Sequence, residues 1–216
     1  MEDLKKMSLK ELEDLCGDIR SEIIEVVCKN GGHLGPNLGV VELSTALHYV
    51  YNSPVDKIVW DVGHQSYVHK MLTGRRDRFH TIRKRGGLGP FTDPNESIHD
   101  QFISGHAGSA LSVSAGLAAA NPDKNVAVVI GDASFANGTT LEALNDINGK
   151  LKNLTIIIND NEMSIGENVG AISGILNKVI NSSFYLKLRK DLRYVLSRYN
   201  LTKPIVKPTE RVEQSL

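Results

Sequence analysis

Two unbroken apolar runs frame the chain. Val126-Ala127-Val128-Val129-Ile130 and Leu154-Thr155-Ile156-Ile157-Ile158 are short and rich in β-branched residues, with no apolar–polar alternation. That is the pattern of strands covered on both faces. About a helix's length of chain separates them, so the pair predicts a βαβ unit with parallel strands. A third run, Lys57-Ile58-Val59-Trp60-Asp61-Val62, predicts another short buried strand, broken at Gly63-His64-Gln65. Elsewhere the period is helical. Leu9, Leu12, Leu15, Ile19, Ile23, Ile24 and Val27 recur at three- and four-residue steps behind Ser8 and Glu11, a capping-box pair, and Asn30-Gly31-Gly32 ends the segment. Residues 40–51 resume the helical period, 66–72 and 77–85 predict two short helices, and 110–120 a helix of Ala and Ser suited to close packing on the sheet. The sum is an α/β fold, a mostly parallel sheet with helices on both faces.

The segments between are of three kinds. Residues 31–39 hold four glycines, Pro36 and His33, a permissive loop that suits a ligand contact or a plain helix connector. Residues 88–104, with Pro90 and Pro94 and little periodicity, read as a loop lying over something, and end in Ser104-Gly105-His106-Ala107-Gly108-Ser109. Beyond Asn161, residues 162–174 are polar and glycine-punctuated, 175–200 predict a helix, and 201–216, with Pro204 and Pro208, read as a linker. The expected organisation is one α/β domain over 1–200 and a linker-like tail over 201–216.

Composition narrows the function classes. Lys plus Arg and Asp plus Glu number 25 each, so no net field draws the chain to nucleic acid or an anionic membrane, and any phosphate must be caught locally. Cys16 and Cys28 fall in one predicted helix about 18 Å apart, too far for a bridge within it. That usage fits a reducing cytoplasm, as does an N-terminus, Met1-Glu2-Asp3-Leu4-Lys5-Lys6, without an apolar signal core; no run reaches the length of a membrane span.

Parallel strands release the chain at one carboxyl edge, where open α/β sheets bind ligands, so Asp132 and Asn161 are expected to be neighbours there. A carboxylate, an amide oxygen and a main-chain carbonyl form the hard-oxygen set that suits Mg²⁺, and the small residues after Asp132 let N–H groups approach a diphosphate. Turn-forming Asp and Asn at the ends of an ordinary βαβ unit would read the same way. Three of the seven histidines directly follow a glycine at the end of an element: His33, His64 and His106. Each alone is explained as a turn residue. As a group beside a diphosphate site they offer imidazoles that trade protons near neutral pH or bond phosphate oxygens. His48 and His69 are expected on a helix surface or in the core, His80 in a short basic helix, and His99 is undecided. No His or Cys pair has the short spacing of a zinc site.

With those residues in hand, the chain resembles the thiamine diphosphate enzymes of transketolase type, and among them the 1-deoxy-D-xylulose-5-phosphate synthases. Gly131-Asp132 and Asn159-Asp160-Asn161 match the family's coenzyme signature, Gly-Asp-Gly followed by Asn-Asn or Asn-Asp-Asn. Residues 32–43, 60–67 and 159–165 match finer strings of the synthases, and the likeness runs from about Leu9 to Asn200. The resemblance implies Mg²⁺ held by Asp132, Asn161 and the Met163 carbonyl. It implies thiamine diphosphate bound by His64, the Gly105-His106-Ala107 turn and the main chain at Ala133 and Ser134, with His64 also placed among the catalytic residues. It implies that His33 assists proton transfer. The implied reaction is the decarboxylative condensation of pyruvate with D-glyceraldehyde 3-phosphate, feeding isoprene and thiamine biosynthesis.

The chain departs from the family in three ways. Ala133 replaces the third residue of Gly-Asp-Gly, where a Cβ is expected to obstruct the diphosphate or strain a positive φ. Ala107 and Gly108 replace the two hydroxyls of Gly-His-Ser-Ser. Family members are also much longer, with a pyrimidine-binding domain that supplies an essential glutamate. The chain therefore reads as a diphosphate-binding domain or subunit, inactive without that domain or a second subunit, and self-associating, as a dimer, through surfaces other domains would cover. A transketolase N-terminal subunit and a non-catalytic scaffold with a decayed coenzyme site are the alternatives.

Overall fold

A computed structural model describes residues 3–147, 149 and 151–159. Helix α1, Leu9–Asn30, starts in the expected capping box: the Ser8 N–H donates to the Glu11 carboxylate at 2.7 Å and the Glu11 N–H to the Ser8 hydroxyl at 3.4 Å. It stops at Gly31, whose φ of 75° suits only a residue without a Cβ. Its inner face, Cys16, Ile19, Ile23, Val26 and Val27, packs on Val41, Tyr67, Val68, Phe79 and Ile82. After the short α2, Leu34–Leu38, comes α3, Val41–Val50.

Among the described residues the sheet has three strands, β1 (Lys57–Trp60), β2 (Val126–Gly131) and β3 (Leu154–Asn159), in that order and all parallel. Val126 to Ile130 are wholly buried because β2 is central and covered twice, which is why its sequence does not alternate. Leu47 of α3 packs on one face, with Ile58, Trp60, Ala127 and Val129. Helix α5, Ala110–Ala120, lies against the sheet, and covers the face carrying Val128 and Ile130. The crossover from β2 to β3 carries α6, Asp132–Phe135, and α7, Gly138–Ile147. The α/β class with helices on both faces is thus the observed one. No helix among the described residues is long and apolar enough to cross a membrane.

The observed elements differ from the expected ones at four points. Strand β3, expected to be covered on both faces, leaves Thr155 and Ile158 exposed, because among the described residues it stands at the end of the strand order. Strand β1 stops at Trp60, not Val62, because Val62 turns to a φ of 60°. Residues 66–85 hold α4, Tyr67–Lys70, then a π turn and a 3₁₀ segment that closes at Thr81, with a break at Gly74 (φ 84°). The permissive stretch 31–39 contains the single turn α2, in whose first turn Pro36 needs no N–H partner. Asn161, Met163, the helix expected over 175–200 and the tail 201–216 lie outside the described residues.

The loop over 88–104 is anchored through two of its own carboxylates. Asp100 is buried and accepts both terminal nitrogens of Arg75 at 2.8 Å, the Asp93 N–H at 2.9 Å and His69 Nε2 at 3.0 Å. Glu96 accepts from Arg75 at 2.8 Å, from the Gly89 N–H at 2.7 Å and from the buried Lys70 ammonium. His69 Nδ1 in turn lies 3.0 Å from Nε2 of His48, and both histidines are fully buried. An ionised Asp100 only accepts, so His69 carries its proton on Nε2 and His48 donates from its own Nε2. Burial works to raise the Asp100 carboxyl, and the bonds from Arg75 and His69 overcome it and hold the group well below the carboxylate range. Burial holds His48 far below the ordinary histidine value of 6.5, aided by His69, His99 and Arg75 nearby; burial also lowers His69, against the pull of Asp100.

Removing one partner of a buried pair strands the other charge. Asp100→Ala should destabilise the chain by about 3–5 kcal/mol in a denaturant titration. The histidines give a pH dependence of known sign. Held below 6.5, they are neutral in the folded chain where the unfolded chain binds protons, so stability is full above that value and falls as pH drops through it. Melting curves across this range should show that decline, and His48→Gln, whose amide can still donate to His69, should flatten it.

Candidate functional site

Parallel pairing brings three chain ends to one edge. Gly131 lies opposite Asn159 in the register, and the N–H of Asp61, just past β1, donates to the Val129 carbonyl at 2.9 Å. Asp132, directly after β2, therefore opens onto the edge that β1 leaves through Asp61-Val62-Gly63-His64, as the sequence predicts for Asp132 and His64. Asn161 and Met163, two of the three expected metal ligands, fall outside the described residues.

The turn after β1 is tight. The Gly63 N–H returns to the Asp61 carbonyl at 2.6 Å across Val62, a γ-type turn that a β-branched residue rarely adopts. It persists because its surroundings over-determine it. The Gln65 amide donates to Asp61 O at 2.9 Å, the Ser66 hydroxyl to Gly63 O at 2.6 Å, and a Cβ on Gly63 would lie 2.0 Å from Ser104 Oγ.

The third glycine–histidine motif is tied to the same place by Asp61. Its carboxylate, 1% exposed, accepts the Gly108 N–H at 3.0 Å on each oxygen and the Ala110 N–H at 3.2 Å, a negative charge at the start of α5. The Thr140 hydroxyl lies 3.3 Å from Gly108 O and 2.8 Å from Ser134 O, which ties the turn to α6. Gly105 is half-buried, and His106 and Ala107 are exposed on this edge.

His33 joins from the far side. Its ring meets that of His64 edge-on, with centroids 5.3 Å apart, and Phe91 of the overlying loop stands 6.1 Å from it. The Nδ1 atoms of both imidazoles are buried without a hydrogen-bond partner. Burial pushes the His33 imidazole down, as does Arg83 nearby; burial and then His33 push His64 down, against Asp61. The site thus holds two neutral imidazoles, each with an open nitrogen, able to accept a proton or meet a polar group of a ligand.

Two expected obstacles take a different form. Ala133 lies within α6 and is not among the positive-φ residues, so its Cβ strains nothing; Ser134 is buried and its carbonyl faces Thr140. Gly108 has a φ of 90°, and a Cβ there would come within 2.7 Å of the Asn137 side chain, so local packing explains a glycine at that point. Asp61, Asn37, Tyr67 and Phe91 escaped sequence reasoning as parts of the site. Asp61 alone left a signal, a carboxylate directly after a buried strand. Gly108→Ala should cost about 1–3 kcal/mol, and pairing it with Asn137→Ala should recover the steric share but not the backbone share, as read from denaturant midpoints.

Comparison with known proteins bears on this geometry. A family model described as 1-deoxy-D-xylulose-5-phosphate synthase matches residues 1–216. Curated proteins of that name resemble the chain closely. One from Fusobacterium nucleatum is 54% identical over 208 residues, which are 96% of this chain and 34% of the relative. Another from Caldanaerobacter subterraneus is 50% identical over 95% of this chain and 33% of the relative. One from Alkaliphilus oremlandii is 48% identical over the whole chain and 35% of its own length. The chain therefore spans about a third of the length of the curated relatives it matches. A match along every residue, in a fold that gathers its glycine–histidine turns at one sheet edge, makes the chain a member of the 1-deoxy-D-xylulose-5-phosphate synthase family.

Proposed function

We propose that the chain is the diphosphate-binding part of a 1-deoxy-D-xylulose-5-phosphate synthase and takes thiamine diphosphate with Mg²⁺ at the carboxyl edge of its sheet. The observation that carries this reading is the approach of His33 and His64 with both Nδ1 atoms buried and unpartnered, on the edge that Asp132 enters. Buried polar atoms without partners are costly, and a bound polar ligand would satisfy them. The donor chemistry fits the coenzyme. Asp132 offers a hard oxygen suited to Mg²⁺, and Ala133 and the turn at Gly105 and Ala107 keep bulky side chains off the approach to the main chain.

In this reading Asp132, Asn161 and the Met163 carbonyl hold the metal. His64, Gly105, His106, Ala107 and the main chain at Ala133 and Ser134 hold the diphosphate. The bound coenzyme supplies an electron sink for decarboxylating pyruvate and joining the two-carbon unit to D-glyceraldehyde 3-phosphate. His33, neutral and with an open Nδ1, accepts or returns a proton beside the reacting carbon. Phe91 stands beside that imidazole, with ring centroids 6.1 Å apart. A pyrimidine-binding domain or second subunit provides the glutamate that completes the site, and the assembled enzyme is a homodimer. Both cysteines are free, which fits work in the cytoplasm.

Calorimetry tests the reading. Thiamine diphosphate should release heat on binding only when Mg²⁺ is present, and Asp132→Ala should weaken that binding by about tenfold or more, the range seen when metal-supporting groups are lost. No heat from the parent chain would instead favour a non-catalytic scaffold. Carbon dioxide release from pyruvate by the purified chain alone would defeat the requirement for a completing domain.

A further inference from the structure

We propose that Asn37 is a positioning residue for this site, and that its side-chain amide clamps the His33 and His64 segments to each other. The inference deepens the reading above and rests on it for its functional meaning. The two imidazoles come from unconnected parts of the fold, one after α1 and the other after β1. Their ring contact at 5.3 Å therefore needs a tie that neither element supplies.

Asn37 is that tie. Its side chain is fully buried, its amide nitrogen donates to His33 O at 2.6 Å and to His64 O at 2.8 Å, and its oxygen accepts the Tyr67 N–H at 2.9 Å. A primary amide alone supplies two donors and an acceptor in one small plane: aspartate lacks the donors and serine has one. The orientation of the amide follows from its partners, since a flip would set its oxygen against two carbonyls and its NH₂ against an N–H. The buried Tyr67 closes the arrangement from the core side. The His33 N–H donates to its hydroxyl at 3.4 Å, and a Cβ on Gly32 would lie 2.8 Å from that oxygen.

Every bond from Asn37 ends on the main chain. Both rings are therefore fixed at their origin while their Nδ1 atoms stay open. That division suits a positioning role, because a displacement of about 1 Å in such a pair can cost about a hundredfold in rate. The single turn α2 carries this amide four residues after His33.

The test uses the full 216-residue chain with isotope-labelled histidine rings. A nuclear Overhauser contact between the ring protons of His33 and His64 is expected in the parent. It should vanish in Asn37→Asp, which keeps the size and the acceptor for Tyr67 but has no donor, while the variant still melts cooperatively. Thiamine diphosphate with Mg²⁺ should bind that variant about tenfold or more weakly. If Asn37→Asp does not fold, Asn37→Ser is read the same way. A ring contact that persists in a folded variant, or is absent from the parent, overturns the clamp; loss of folding in both variants makes Asn37 a plain structural residue and also overturns it. A parent chain that keeps the ring contact but gives no heat with the coenzyme defeats the proposed function and leaves the clamp standing.

Discussion

The carboxylate of Asp61 meets the first N–H groups of α5, and the geometry of the whole carboxyl edge depends on that contact. It is a buried charge, and without the donors of Gly108 and Ala110 its desolvation would be costly. With them it does two things at once. It satisfies the start of a helix whose Ala and Ser surface offers no cap of its own, and it fixes the turn at Gly105 and His106 relative to the end of β1. Thr140 then extends the tie to α6, so three segments distant in sequence share one frame.

A second part of the interior is organised by a different rule. Asp100, Glu96, Arg75, Lys70 and the His48–His69 pair form a charged network at the loop over 88–104. Such networks add little net stability compared with apolar packing, but each member is costly to remove. Their effect here is to hold an irregular loop in one place, and that loop carries Phe91 to His33 and Ser104 to Gly63. A segment without hydrophobic periodicity thereby gains a fixed position.

The legibility of the fold in the sequence follows the same division. Strand β2, the capping box of α1 and the small-residue helix α5 are readable because burial on both faces, local capping and period are written in neighbouring residues; β3 is readable as a strand from its β-branched run, but not its exposure at Thr155 and Ile158. The clustering of Gly63-His64, Gly105-His106 and Gly131-Asp132 was partly readable, since parallel strands must end together. Asn37 was not, because its partners are the carbonyls of His33 and His64, and a main-chain acceptor leaves no mark on sequence. Nor were the γ-type turn at Val62 or the buried ionic network, whose parts lie far apart along the chain. The break at Gly74 is readable from the glycine itself, but the end of the second segment at Thr81 rather than Arg85 is not, because Ile82 turns to extended backbone inside an apolar pattern that runs on.

The register carries a kinetic consequence. Val126 pairs with Leu154 across a short crossover, whereas Lys57 pairs with Val126 across a much longer stretch of chain. Closing the longer loop costs more entropy before any contact rewards it. The β2–β3 pairing is the cheaper to nucleate, and docking of β1 completes the assembly. The histidines and Asp61 that define the edge would then reach their places in the final stages of chain collapse, after the scaffold that receives them.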